Sequence, residues 1–323
     1  MIFRISTYSR LVKSIAIIML VAGLTAAQAL APAGPNRPAT VPADYVITPF
    51  GYFHPSCVMH VSSNTDVVRQ DLNIVQHADG SSEKIPRCAY PHYKPNGEEV
   101  IGDEQGSTQP GQPPLINGWV EYASVKTDTS YAYLSAYWSV PPTPSTNHGQ
   151  TVYMFPGMED YKGVVTIIQP VLGWNSDYNS AWGIASWNCC KNGTTFEGPP
   201  TKTNSGDTIF GYMFETCPFP SKSCPTWTVV TYDLTLGTYS QLNTGSWGQT
   251  FDWAFAGALE VYSVVQCTDY PPNGAVGFYN LQLYDYTWKP IANPAWTITN
   301  LGPGKDPQCG YGGSLPQQLT LTY

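Results

Sequence analysis

Short β-like runs separated by turn residues recur along most of this chain and limit the folds open to it. None of the runs after residue 115 has the 3.6-residue period of a long helix. Pro and Gly number 29 each, enough to place a turn between most neighbouring runs. Short strands at this spacing predict an all-β protein, an antiparallel two-sheet β-sandwich or jelly roll. The predicted strands are 117–125, 131–140, 151–156, 164–174, 181–187, 208–216, 226–235, 249–256, 257–266, 277–284 and 318–323.

The chain divides into three regions before any motif is considered. Residues 1–29 have the basic start, apolar centre and small-x-small end of a secretory signal peptide. Residues 30–114 form an N-terminal segment that ends in a polar, proline-rich linker at 103–114. Residues 115–323 contain the predicted sandwich. No second apolar run follows the signal, so we expect a secreted monomer that does not bind a membrane after signal removal.

The side chains that are missing from the second half narrow its chemistry. His148 is the last histidine and Arg87 is the last arginine. Residues 149–323 alone therefore cannot supply a Ser-His or Cys-His pair, and they lack the histidine clusters common in catalytic zinc sites. Carboxylates and amides remain for acid–base work, so we expect neither a metal nor an organic cofactor.

Charge argues against a nucleic-acid partner. The formal net charge is −8, and residues 115–323 contain 14 Asp and Glu against 7 Lys and no Arg. A nucleic-acid-binding surface needs clustered positive charge, which this region does not have.

Eight cysteines in an exported chain predict disulfides. Cys57 and Cys88 lie alone in the N-terminal part and are expected to pair. A second pair, Cys217 with Cys224, closes a short loop. We expect the adjacent Cys189 and Cys190 to reach different partners, and the candidates for these are Cys267 and Cys309.

Two polar residues stand out because each lies inside an otherwise apolar strand. Gln169 follows Ile167 and Ile168, and Glu260 lies among Ala258, Leu259 and Val261. A buried amide can stabilise an oxyanion, and a buried carboxylate with a raised pKa can activate water. The alternative for both is a polar side chain on a solvated strand face, with its hydrogen bonds satisfied by neighbours.

An ordered series of motifs resembles the glutamic peptidases of the eqolisin type. The motifs are 137–144 (YWSVPPTP), 152–160 (VYMFPGMED), 168–169 (IQ), 181–182 (AW) with Trp187, 205–209 (SGDTI) and 258–261 (ALEV). The resemblance implies a concanavalin-like β-sandwich that hydrolyses peptide bonds in acid, with Gln169 and Glu260 as catalytic dyad. Val171 and Gly173 depart from that family, which has Gly and an acid there. The pair Gly173-Trp174 is similar to the related neprosin-type peptidases, in which a second glutamate replaces the glutamine.

Three further residues are candidates for substrate binding. Trp182 and Trp174 are expected to line a groove, although tryptophan in a sandwich more often belongs to the core. Glu159 is the most plausible second carboxylate, although its place after Pro156-Gly157 also fits turn chemistry.

The sequence therefore predicts a secreted acid endopeptidase that acts on proteins or peptides. The alternatives are a carbohydrate-binding, lectin-like sandwich without catalysis and a glycosidase with two carboxylates. Four of the five histidines, His54, His60, His77 and His92, lie in the N-terminal segment. We hypothesise a zymogen, in which this segment covers the groove at neutral pH and is cut at 103–114 in acid. The alternatives are a permanent second domain or a strand that completes the sandwich.

Overall fold

A computed structural model describes residues 30–32, 34, 36–85, 87–100, 116–162, 166–315 and 318–323. The described chain contains strands, three single-turn 3-10 helices and no α-helix. The helices are Pro55–Cys57, Lys191–Gly193 and Cys267–Asp269. The strands are β1 (Val46–Thr48), β2 (Gly51–Phe53), β3 (Val58–His60), β4 (Val67–Arg69), β5 (Ile74–Gln76), β6 (Ser82–Lys84), β7 (His92–Tyr93), β8 (Glu99–Val100), β9 (Ile116–Lys126), β10 (Tyr131–Ser139), β11 (Thr151–Glu159), β12 (Ile167–Trp174), β13 (Trp182–Cys189), β14 (Thr195–Glu197), β15 (Thr201–Thr203), β16 (Thr208–Glu215), β17 (Thr226–Asp233), β18 (Thr238–Gly245), β19 (Trp253–Val264), β20 (Ala275–Asp285), β21 (Thr297–Asn300), β22 (Gly312–Ser314) and β23 (Leu319–Thr322).

Two large sheets pack face to face, which confirms the predicted β-sandwich. One has nine strands in the order β21-β9-β19-β11-β12-β13-β14-β3, with β15 paired to β13, and the other has ten in the order β22-β23-β20-β10-β16-β17-β18-β4-β5-β6. The pairs are antiparallel except β14–β3 and β18–β4. Met154 and Leu259 of the nine-stranded sheet share a buried cluster with Trp138 and Phe278 of the ten-stranded sheet. This cluster is part of the apolar core that holds the sheets together.

The N-terminal segment adds strands to both large sheets. Strand β3 pairs with β14 at one edge of the nine-stranded sheet, and β4 pairs with β18 to bring β5 and β6 into the ten-stranded sheet. Strands β1, β2, β7 and β8 form a small sheet of their own. The predicted signal peptide and the linker at 103–114 lie outside the described residues.

Burial along the strands shows that the two sheets have different surroundings. Strand β16 alternates between half-exposed and buried residues, as a strand with one solvated face does. Strands β11, β12 and β13 are instead buried at every position. One face of these central strands packs on the other sheet, and the second face packs on the N-terminal segment.

The cysteines form four pairs, two of them as expected. Cys57–Cys88 and Cys217–Cys224 are bonded. The expectation for the others was wrong, because Cys267 pairs with Cys309 and Cys189 pairs with its neighbour Cys190 across a cis peptide bond. The sequence separation of cysteines does not determine which of them meet in space. In the part of the chain that the structure describes, no helix is long and apolar enough to cross a membrane.

Candidate active site

The nine-stranded sheet turns one face away from the ten-stranded sheet, and we call it the covered face. Successive residues of a strand point to opposite faces, so register determines which side chains lie here. Glu260 pairs with Tyr153, which pairs with Gly173; Gln169 pairs with Trp187, which pairs with Glu197. The side chains of this face include Trp119, Tyr153, Phe155, Gln169, Trp187, Glu197, Ala258, Glu260 and Tyr262.

Glu260 lies fully enclosed among aromatic rings. Tyr262 donates a hydrogen bond from its hydroxyl to Glu260 Oε1 at 2.6 Å. The other carboxyl oxygen has no hydrogen-bond partner among the described residues. Burial raises the pKa of Glu260 well above its usual range. The physical cause is that a charge at this position is poorly solvated, which disfavours the ionised form.

Gln169 is also buried, and it stands without a partner. Neither its amide nitrogen nor its amide oxygen has a hydrogen-bond partner in the part of the chain that the structure describes. Gly157 lies beside it on β11, where an added Cβ would come within 3.3 Å of Gln169 Cγ. Glycine therefore leaves room for this side chain. A buried amide with both polar atoms unpaired is costly, which makes Gln169 a candidate for binding a ligand.

The structure places Gln169 and Glu260 on the same face without bringing them into contact. Glu260 belongs to the row of paired residues that contains Gly173, and Gln169 lies four residues before Gly173 on β12. Four residues along a strand and two strand spacings across it separate their Cα atoms by roughly 16 Å.

The other predicted residues divide between the two faces. Glu159 lies at the end of β11, beside Ile167 and Trp253, and is buried. Burial, followed by the neighbouring Asp160 charge, raises the pKa of Glu159 to about 8. Trp174 and Trp182 belong instead to the core between the sheets, with ring centroids 5.6 Å apart.

The substrate-groove prediction for the two core tryptophans therefore does not match their position. The tryptophan of β13 that does lie on the covered face is Trp187. Trp187 lies five positions after Trp182, and an odd offset along a strand places two side chains on opposite faces.

Two acids on this face were not found from the sequence. Glu197 of β14 is fully buried, and its burial raises its pKa to about 7. Asp177 follows β12 in a turn that folds back onto the face. Burial first, and then the Glu197 charge, raises the pKa of Asp177 well above its usual range. A Cβ on Gly173 would lie 2.8 Å from Ser176 Cβ, so glycine lets the turn lie this close. The sequence signal that could have revealed Glu197 is the alternation of polar and apolar residues through Thr195, Phe196 and Glu197.

A histidine of the N-terminal segment closes this end of the face. His60 of β3 pairs in register with Glu197. Its Nδ1 lies 2.5 Å from Glu197 Oε2, a close contact that is not aligned as a hydrogen bond. Burial lowers the pKa of His60. Among the described residues no three His, Cys, Asp or Glu side chains come together as a metal site.

The hairpin of β1 and β2 lies over the middle of the covered face. Phe50 at its turn packs edge-on against Trp187, with centroids 5.9 Å apart, and Tyr52 packs on Tyr262 at 5.3 Å. The Tyr153 hydroxyl lies 3.5 Å from the carbonyl oxygen of Ile47. The face thus already holds a stretch of polypeptide, through side-chain rings and through a main-chain carbonyl.

No family model and no curated protein matches the sequence. Scytalido-glutamic peptidase, solved with a peptide-based transition-state analogue, is 14% identical over 65% of this chain and 99% of its own, with a TM-score of 0.47. The CBM2 module of the evolved Dit of Lactobacillus casei BL23 phage J-1 is 9% identical over 50% of this chain and 82% of its own, with a TM-score of 0.26. Neither likeness assigns a role to a residue of this chain.

Proposed function

We propose that this protein is a secreted endopeptidase that hydrolyses peptide bonds in acid on the covered face. The observation that carries the proposal is the position of the N-terminal hairpin. A piece of polypeptide lies on a face that buries an unpaired amide, Gln169, and carboxyl groups with raised pKa values. A face that binds its own chain in this way has the shape and polarity to bind a peptide substrate.

The chemistry requires an amide donor and one carboxylate. Gln169 donates an N–H to the oxyanion that forms when water attacks the scissile carbonyl. The carboxylate takes a proton from that water and later passes it to the leaving amine. The sequence names Glu260 for this second role, and this assignment remains a prediction.

Uncovering the face makes the carboxyl groups suitable for this work. Burial is the first cause of the raised pKa values of Glu197 and Glu260. When the hairpin leaves, water returns and these pKa values fall towards the usual range of a carboxylic acid, about 4.3. A carboxyl group with a pKa in that range is ionised in mild acid and can act there as a general base. This agrees with removal of the N-terminal segment before the enzyme acts.

The disulfides and the signal-like start support export. Four disulfide pairs in one chain are typical of an oxidising compartment. We therefore place the active enzyme outside the cell, with proteins or peptides as its substrates.

The test is digestion of an unfolded protein substrate by the full chain, after incubation at about pH 4 or pH 7, with mass spectrometry of the products. We expect the wild type to release peptides in acid, and we expect Gln169→Ala to lose this activity. Gln282→Ala is the matched control, because Gln282 is an exposed strand glutamine far from this face. A wild-type protein that cuts no peptide bond at any pH contradicts the proposal. Sugar released from a polysaccharide instead of peptides favours the glycosidase.

A further inference from the structure

The carboxyl group best placed to act with Gln169 lies in its own row of paired residues. Gln169, Trp187 and Glu197 face one another across β12, β13 and β14 without stagger. Two strand spacings separate the Cα atoms of Gln169 and Glu197 by roughly 10 Å, against roughly 16 Å for Gln169 and Glu260. A scissile peptide bond and one water molecule fit between two long side chains at the shorter separation.

Phe50 of the hairpin lies at the centre of this row. Its ring packs on Trp187, the residue between the amide and the carboxyl group. A substrate side chain that replaces Phe50 on Trp187 brings its own main chain between Gln169 and Glu197. The row therefore combines a side-chain platform with two polar groups, and one of these, the Gln169 amide, has no partner among the described residues.

We propose that Glu197 is the catalytic carboxylate that acts with Gln169. This inference rests on the proposed peptidase function and replaces Glu260 as the base. Glu197 takes one proton from water while the water oxygen bonds to the scissile carbon, and the C=O electron pair moves to the oxygen held by Gln169. The oxyanion pair then re-forms the C=O bond as the C–N bond breaks, and the nitrogen keeps the C–N pair and takes the proton from Glu197. The products are one carboxylic acid and one amine.

The N-terminal segment withholds Glu197 from water. Strand β3 pairs along β14, and the His60 ring lies against the Glu197 carboxyl group. Departure of the segment exposes the carboxyl group while Asp177, on the turn after β12, stays beside it. Glu260 lies in another row, where Tyr262 holds one of its oxygens.

The experiment compares Glu197→Gln, Glu260→Gln and Glu121→Gln after the same cut. A trace of tagged wild-type enzyme removes the segment from every variant in acid, and the tagged enzyme is then withdrawn. Glu121 is the matched control, because it is a fully buried glutamate that lies away from the covered face. Its pKa is raised to about 8, and it lies near Tyr270, Tyr311 and Tyr323.

We expect Glu197→Gln to lower kcat by about 10²-fold or more with KM nearly unchanged, as loss of a general base does. We expect Glu121→Gln to retain kcat within about tenfold, and Glu260→Gln to lose clearly less kcat than Glu197→Gln.

Three outcomes decide the matter. Glu197→Gln with near-wild-type kcat, or Glu260→Gln with the larger loss, overturns the assignment while the peptidase function stands. A wild type that never digests protein overturns the proposed function, and the assignment falls with it. If Glu197→Gln does not fold by circular dichroism, Glu197→Asp decides, because it keeps the charge but withdraws the carboxylate. It should lose at least about tenfold in kcat, and full kcat contradicts the proposal.

Discussion

The outer faces of the two sheets are built from similar strands but differ in their chemistry. On the ten-stranded sheet, Tyr137, Phe210 and Tyr212 are half-exposed and pack on one another, with centroid distances of 4.4 and 4.9 Å. On the nine-stranded sheet, the covered face buries Gln169 and the carboxyl groups of Glu197 and Glu260. The side chains of the first face are partly exposed to water and pack on neighbouring rings. The second owes its raised pKa values and its unpaired amide to a cover that belongs to the same chain.

Gln169→Ala gives the largest expected effect if this difference between the faces is functional. Loss of one preorganised oxyanion donor lowers kcat by about 10²–10³-fold. Steady-state kinetics on the cut enzyme measures it, with Gln282→Ala of the exposed β20 position unchanged. Equal kcat values for Gln169→Ala and Gln282→Ala would contradict a catalytic role for the covered face.

Phe50→Ala tests how the cover is held. Phe50 is 9% exposed and packs on Trp187. Truncating a buried phenylalanine costs about 3 kcal/mol, so the hairpin should open more often. Hydrogen exchange at 46–53 measures the opening. Leu72→Ala is the control, because Leu72 is 57% exposed in the same segment. Unchanged exchange in Phe50→Ala would show that the ring does not hold the hairpin.

The stability of the covered form should depend on pH through Glu197. Its pKa rises from 4.5 to about 7 on burial, so its contribution is complete below about pH 4.5 and is lost as pH rises through 7. The loss is at most about 3 kcal/mol. His60 acts in the opposite direction, because its pKa is lowered and its contribution is lost as pH falls.

Urea unfolding between about pH 4 and pH 8 measures this dependence. The inactive Gln169→Ala background prevents self-digestion. Glu197→Gln should flatten the fall in stability above pH 4.5, and an unchanged profile contradicts the prediction. Titration of Glu197 therefore favours the covered form in acid, and titration of His60 favours the uncovered form there.

Tyr212→Thr on the exposed face should have the smallest effect. Tyr212 is half-exposed and stacks on Phe214 at 6.1 Å. Loss of one such ring contact between neighbours on the same strand costs about 1 kcal/mol or less. Thermal unfolding measures it, and kcat should not change. A large loss of activity would make the exposed face part of the site.

The period-two pattern was enough to predict the sandwich and to identify Gln169 and Glu260 as polar residues inside apolar strands. It was not enough to predict their separation, because the offset depends on how β12, β11 and β19 align. Trp187 and Trp182 show the same limit, since alternation gives two faces without saying which one meets the other sheet. Glu197 was missed because β14 has only three residues and runs into Gly198-Pro199, which resembles a turn.

Strand β3 has a consequence for substrate binding if the N-terminal segment is cut away as we propose. While β3 pairs along β14, the edge beside Glu197 is occupied, and the Val61 N–H binds the Glu197 carbonyl oxygen. Once β3 leaves, β14 becomes an open edge with free main-chain donors and acceptors. An extended substrate can then join the sheet as a new strand in the place of β3, and its main chain would be held beside the Glu197 carboxyl group whatever its sequence.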